Sequence, residues 1–335
     1  MDIAKMVSAL RLGRLMEEPV RIEGGLLHKM YRVSTSDGLF AVKVLNPQIM
    51  KRPDALSNTV HSEKVAKAFE GLIPAVVSLE IDGKQVHKLG EEYYMVFPWT
   101  DGVSVFPKEI TPHHCEAIGS VLGKMHQQNL KVEGIVPEEN SFELFDWDAH
   151  LQRINELECS DKEWIAVYKK SMKDIKRWNE MACESESYLS KLTVISHRDL
   201  DPKNVMWSDD KPHIIDWEAA GYVNPYQELL EVINYWADDG AGKPVKEKYD
   251  ALVNAYRKYM NISAVNWDEV FHGSYIGMLG WLEYNAKRAL GIEASDEAER
   301  LLGEGQVIGT IHELYSYQEK IRQLREWLGY GENRI

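Results

Sequence analysis

Residues 194–222 constrain the rest of the chain more than any other stretch. They read VISHRDLDPKNVMWSDDKPHIIDWEAAGY. The apolar Val194-Ile195 leads into His197-Arg198-Asp199, and Asn204 stands five residues after Asp199, ahead of the apolar Val205-Met206-Trp207. A polar turn over 208–212 then precedes a second apolar run, Ile214-Ile215, which ends on Asp216. Short strands with loops at their ends bring Asp199, Asn204 and Asp216 close together. A carboxylate that can accept a hydroxyl proton, beside an Asn and an Asp that can ligate Mg²⁺, is what phosphoryl transfer from ATP needs. The alternative is a plain hairpin with charged loops. Three residue types at matching spacing, in matching strand context, weigh against it.

A second residue reads the same way. Lys43 lies inside the apolar strand Leu39 to Leu45, where alternation puts Ala41, Lys43 and Leu45 on one face. A Lys on a mostly buried strand needs a partner. Glu63, on a helix beginning near Asn58, is the candidate. Lys43 would then hold the α- and β-phosphates of ATP, oriented by an ion pair with Glu63. Two further strands precede this one, Val20 to Glu23 and His28 to Val33, with Gly24-Gly25 between them and an Asp37-Gly38 hairpin turn after them. Gly24 and Gly25 could let backbone N–H groups approach a phosphate. They form no GxGxxG, and the chain has no GxxxxGK[ST] loop. Ala75 to Leu79 and Tyr93 to Trp99 read as two more strands, separated by the Asp82-Gly83 turn. The second ends on FPWTDG. There the Pro98 carbonyl could accept from an adenine amino group, the Thr100 N–H could donate to the ring, and Phe97 would flank the pocket.

The first 16 residues read as an amphipathic helix, and from Pro107 onward the pattern is helical. Thr111 is an N-cap with Pro112 at the first helical position, for a helix running to Gln128. Helical patterns follow near 145–157, 161–190, 225–236, 244–260, 266–289, 295–303 and 305–328. Trp281, Glu283 and Tyr284 either line a pocket for a cationic amine or belong to a core stripe.

Charge divides unevenly. The 335 residues carry a net charge of −14, yet residues 1–98 hold 13 Lys and Arg against 12 Asp and Glu. The acidity therefore belongs to residues 99–335. That disfavours nucleic acid, which calls for a basic footprint. It is compatible with a cationic substrate drawn to a negative cleft, or with plain solubility. No apolar run approaches the roughly 18–20 residues of a membrane span, and no signal peptide is recognisable, so a cytoplasmic protein is expected. Cys115, Cys159 and Cys183 show no metal or disulfide spacing.

With Lys43, Glu63, His197-Arg198-Asp199, Asn204 and Asp216 in place, the chain resembles the protein-kinase-like fold. It resembles most the aminoglycoside phosphotransferase and choline kinase group of small-molecule kinases. The GLLHKMYRV strand, the LGKMHQ helix, the HRDLDPKNVMW loop and the IIDWE strand end carry the likeness. It implies an α+β bilobal fold: an antiparallel sheet lobe with one helix over 1–98 for the nucleotide, and a larger, mainly helical lobe over 99–335. It further implies Asp199 as the base or orienter for an acceptor hydroxyl, and Asn204 and Asp216 as Mg²⁺ ligands. Lys43 and Glu63 would serve the nucleotide, and His197 would brace the loop. The Ser/Thr protein kinases carry a Lys two residues after the catalytic Asp; here that position is Asp201, and Asp216-Trp217-Glu218 stands in place of DFG. A protein substrate is thereby disfavoured. The expectation is an ATP- and Mg²⁺-dependent kinase of a small-molecule hydroxyl, with an aminoglycoside, amino sugar or choline-like amine as acceptor and GTP left open as donor. The alternatives are a kinase of a sugar, homoserine-like or fructosamine-like metabolite, or a non-catalytic nucleotide-binding protein.

Overall fold

Period-two burial governs the N-terminal strands. In the computed structural model, which describes residues 2–22, 28–137, 142–157, 161–294 and 296–329, these are β1 (Val20–Ile22), β2 (Lys29–Thr35), β3 (Gly38–Val44), β4 (His87–Leu89) and β5 (Glu92–Pro98). They form an antiparallel sheet in the order β1-β2-β3-β5-β4. Register opposes Met30 to Lys43 to Met95 and Arg32 to Ala41 to Phe97. Opposed side chains share a face, so one face carries these six residues and the other carries Tyr31, Val33, Val42, Val44, Tyr94 and Val96. The second face is closed by α1 (Ile3–Ala9), through Ile3, Met6 and Val7, together with Leu10 and Leu12. Val33, Val42 and Val96 are wholly buried there, each contributing about 1.5–3 kcal/mol.

Pro98 ends β5 at a position chosen by the ladder. The Trp99 N–H donates to the Leu39 carbonyl at 3.1 Å, so the next pair, Phe40 and Pro98, is a non-hydrogen-bonded one. A residue without an N–H costs nothing there.

After α2 (Ala55–Phe69), the expected strand over 75–79 is not part of the sheet. It is an extended strap. Ala75 makes a single parallel bridge to Ile214, the Val76 N–H donates to the Ile214 carbonyl, and the Leu79 N–H donates to the Val96 carbonyl at 2.7 Å. The pairing surface went instead to β4, a short strand the sequence reading missed.

The remaining strands are β6 (Val103–Ser104), β7 (Val194–Ser196), β8 (Val205–Ser208), β9 (Lys211–Ile214) and β10 (Gly221–Val223). β8 lies between β6 and β9, and β7 pairs with β10. The turn between β8 and β9 is Asp209-Asp210, both with positive φ, the type I′ geometry that suits a two-residue hairpin. The helices are α3 (Pro112–Gln128), α4 (Trp147–Asn155), α5 (Glu163–Leu189), α6 (Pro225–Trp236), α7 (Lys246–Arg257), α8 (Trp267–Gly273), α9 (Tyr275–Ala289) and α10 (Glu297–Trp327). Thr111 caps α3 as the sequence predicts, its hydroxyl accepting from the His114 N–H.

Two helix predictions needed revision. The helix expected over 266–289 is split at Ser274, and Gln227 Nε2 takes the Gly273 carbonyl that a continuous helix would use internally. The two helices expected over 295–303 and 305–328 are one, because Glu304 at the junction is held by Arg300 from the preceding turn and by Lys162.

The chain forms two compact units. One comprises Met1–Pro137, Val194–Val223 and Asp250–Met260; the other comprises Glu138–Thr193, Asn224–Tyr249 and Asn261–Ile335. Every described residue of the predicted nucleotide and metal site falls in the first. No described helix is long and apolar enough to cross a membrane.

Candidate active site

The site starts from a strand end. β7 is buried throughout and delivers His197, also fully buried, to the loop that follows. His197 Nδ1 accepts the Asp199 N–H at 3.3 Å, and its Nε2 donates to the Ile215 carbonyl at 3.0 Å. The Ile215 N–H in turn donates to the Asn204 carbonyl at 3.0 Å. Asn204 Nδ2 donates to the Asp199 carbonyl at 2.9 Å and to Asp199 Oδ2 at 2.8 Å. Asp199, Asn204 and the residue preceding Asp216 are thus tied into one hydrogen-bonded ring. Both Asn204 amide hydrogens are spent inside it, which leaves Oδ1 as the free acceptor. Asp216 itself has φ 60° and ψ 68°, a left-handed conformation uncommon outside Gly, Asn and Asp, that turns its carboxylate out of the β9 direction.

Lys43 meets this ring from the sheet. Its Nζ is 3.1 Å from Asp216 Oδ1 and also contacts Glu218 Oε1. Burial opposes its charge, but Asp216 and Glu218 outweigh burial and raise its pKa. Glu218 is held from the other side by His28. His28 Nδ1 accepts the Asn46 N–H at 2.9 Å, so its proton sits on Nε2 and points to Glu218 Oε1 at 3.1 Å. Burial pushes the Glu218 carboxyl up, yet the His28 bond and the Lys43 ammonium overcome it and hold the group at about 2.

The predicted Lys43–Glu63 ion pair is not the one that forms. Glu63 is buried on α2 and turns to Ser78, accepting its N–H at 3.2 Å and its hydroxyl at 2.5 Å. Burial raises its pKa, the Ser78 bonds pull it back, and Lys43 acts on it only through space. The strap over 75–79 supplies Ser78, and this accounts for the rearrangement: the donors nearest Glu63 are on the strap.

The other predicted residues divide. Phe97 shares the sheet face of Lys43, by register. The Pro98 carbonyl points away from β3, and Thr100 follows directly beyond the strand. Gly24, Gly25 and Cys159 lie outside the described residues. Glu218 and His28 were not singled out from sequence. For Glu218 a signal existed, an acid two residues past Asp216; for His28 none did. Trp281 and Tyr284 are exposed rather than core, their rings 5.6 Å apart, and Glu283 beside them is already bound by Lys287 at 2.6 Å.

Hard oxygen donors from Asn204 and Asp216, next to the half-buried Lys43 ammonium, suit a Mg²⁺–phosphate group. Mg²⁺ takes one or two protein ligands and completes its shell with phosphates and water.

Comparison with known proteins bears on the fold and the family. No curated protein sequence matches the chain. Among solved structures it is similar to the spectinomycin phosphotransferase APH(9)-Ia in complex with ADP and spectinomycin, at TM-score 0.68 and 12% identity over 94% of this chain and 98% of that one. It is similar to the Plasmodium vivax ethanolamine kinase, at TM-score 0.56 and 16% identity over 90% and 83%. It is similar also to the amicoumacin kinase hAmiN in complex with AMP-PNP and Ca²⁺, at TM-score 0.57 and 12% identity over 94% and 97%. At these identities the likeness establishes the fold, α+β and kinase-like. The model of the phosphotransferase enzyme family (APH) matches residues 18–261, well over half of the sequence and all of the ring built on Asp199, and the chain therefore belongs to that family.

Proposed function

We propose that the protein is an ATP- and Mg²⁺-dependent kinase that phosphorylates a hydroxyl of a small cationic molecule. An aminoglycoside, an amino sugar or a choline-like amine is the acceptor class. The observation that carries this reading is the contact of Lys43 with Asp216, 173 residues apart in sequence, beside a ring that fixes Asp199 and Asn204. Residues 1–98 serve as the nucleotide lobe and 99–335 as the catalytic and acceptor lobe. Lys43 binds the α- and β-phosphates, and Pro98 and Thr100 take the adenine edge beside Phe97. Asn204 and Asp216 hold Mg²⁺, which when bound neutralises charge on the phosphates. Asp199 receives the acceptor hydroxyl and orients it in line with the γ-phosphorus. Excess acid in 99–335 favours a cationic acceptor.

The test is a phosphorylation screen across aminoglycosides, choline-like amines and amino sugars, with ATP and GTP, read by product mass. Addition of one phosphoryl group, abolished in Asp199→Asn, is the expected result. Phosphorylation of neutral sugars alone would move the acceptor class. Absence of any product, with nucleotide bound, would make the chain a non-catalytic member of the family.

A further inference from the structure

Catalysis at this site is short of positive charge. Four carboxylates gather around the ring: Asp199, Asp201, Asp216 and Glu218. A γ-phosphoryl group adds more negative charge directly against Asp199. Lys43 is already engaged by Asp216 and Glu218. Arg198 carries its guanidinium to β10, where Nη1 lies 3.0 Å from the place a Cβ on Gly221 would occupy. Asp201 holds the position where protein kinases keep a Lys, and it caps the turn at 202–204 through the Lys203 N–H at 2.9 Å.

That turn sorts its own side chains. Pro202 and Asn204 point inward and are buried, while Lys203 points out, 63% exposed. Its Nζ lies 3.7 Å from Asp199 Oδ2 and 3.8 Å from Asp201 Oδ2. Both distances exceed a normal hydrogen bond of about 2.7–3.2 Å, so the ammonium is attracted to both acids and locked by neither. A phosphoryl group arriving at Asp199 is the stronger anion. The backbone of Lys203 is fixed by Asp201, and its four-carbon stem leaves the ammonium free to move onto that group.

We propose that Lys203 is a further catalytic residue, one that takes the γ-phosphoryl group during transfer. The inference rests on the kinase reading above. In the step, the acceptor O–H bond breaks and its proton passes to the Asp199 carboxylate. The acceptor oxygen bonds to the γ-phosphorus, and the bond from that phosphorus to the bridging oxygen breaks, its electron pair leaving on ADP. Lys203 keeps its proton throughout and follows the transferring group, offsetting the repulsion between that group and Asp199.

The experiment compares wild type, Lys203→Ala and Lys203→Arg by steady-state kinetics, and by calorimetric binding of ADP and of AMP-PNP. In Lys203→Ala, kcat should fall about 10- to 100-fold. AMP-PNP affinity should drop relative to ADP, with ADP binding within about twofold of wild type. Lys203→Arg should recover most of both losses, because it keeps the charge. Unchanged kcat in Lys203→Ala overturns the assignment, and so do ADP and AMP-PNP affinities that weaken equally, which would mark a structural role. A wild type without turnover on any acceptor sinks the kinase reading and this proposal with it. Wild-type turnover with an indifferent Lys203→Ala sinks this proposal alone.

Discussion

Replacing Glu63 with Gln separates the observed site from the expected one by the sign of a stability change. Glu63 is 4% exposed and accepts two hydrogen bonds from Ser78, at 3.2 and 2.5 Å. A Gln carbonyl keeps both bonds. Its loss is the difference between charged and neutral acceptors, about 1–2 kcal/mol in total. Its gain is relief from desolvating a carboxylate, an effective penalty of several kcal/mol. Glu63→Gln should therefore be neutral or more stable at pH 7.5, by up to about 2 kcal/mol. Had Glu63 been the direct partner of Lys43, the same change would cost about 3–5 kcal/mol by stranding a buried ammonium. The pH dependence gives a second check. Burial raises the Glu63 pKa above its ordinary 4.5, so the folded state holds this proton more tightly than the unfolded one. Wild type consequently loses stability as pH rises from 4.5 through the raised value, and the Gln variant does not. Urea titrations at pH 4.5 and 7.5 should show the two proteins converging at the lower pH and separating at the higher. A loss near 3 kcal/mol or more at pH 7.5, or a difference that does not shrink toward pH 4.5, would refute the argument.

Asp199→Asn should lower turnover about 10²- to 10⁴-fold while ADP still binds, measured by a coupled ADP-release assay beside calorimetry. Lys43→Ala removes the ammonium proposed to bind the ATP phosphates and should raise the KM for ATP at least about tenfold; an unchanged ATP dependence would remove Lys43 from the nucleotide site. Gly119→Ala tests packing rather than chemistry. A Cβ there would stand 2.1 Å from the Leu252 carbonyl oxygen, so α3 and α7 must move apart. The expected cost of about 1–3 kcal/mol should appear as a lower midpoint in thermal unfolding.

The sequence was most readable where distinct polar residue types stand at fixed spacing between apolar runs. Asp199, Asn204 and Asp216 are named by spacing alone, and the structure unites them through His197, the residue read as a brace. Lys43 was legible because an ammonium inside an apolar strand needs an explanation. Its partner was not. Choosing between Glu63 and Glu218 depends on where Ser78 stands, and Ser78 rides on a strap whose Val76 and Val77 look like strand. Apolar content alone does not separate a strap from a strand when one backbone edge pairs with Ile214 and the other end with Val96. His28 lay beyond reach for a different reason: its role comes from Asn46 on one nitrogen and Glu218 on the other, contacts with no periodic trace in the chain.

The ring around Asp199 also explains why the acids and the bases of this site behave differently. Asp199 is fixed by its own N–H and by Asn204; Asn204 is fixed by Asp199 and by Ile215; Asp216 follows Ile215 in a backbone conformation that leaves it little choice of direction. Oxygen acceptors are therefore set in place by hydrogen bonds and backbone conformation before any ligand arrives, so little reorganisation is required on binding. The two ammonium groups are carried differently, on four-carbon stems. Lys43 is half-buried and gripped by two carboxylates; Lys203 is exposed and gripped by none within hydrogen-bond distance. Phosphoryl transfer moves an anion from one oxygen to another over a short path. The ends of that path are the bridging oxygen of the nucleotide and the hydroxyl oxygen of the acceptor, and in the proposal made for Lys203 its looser hold is what lets the ammonium follow the group between them.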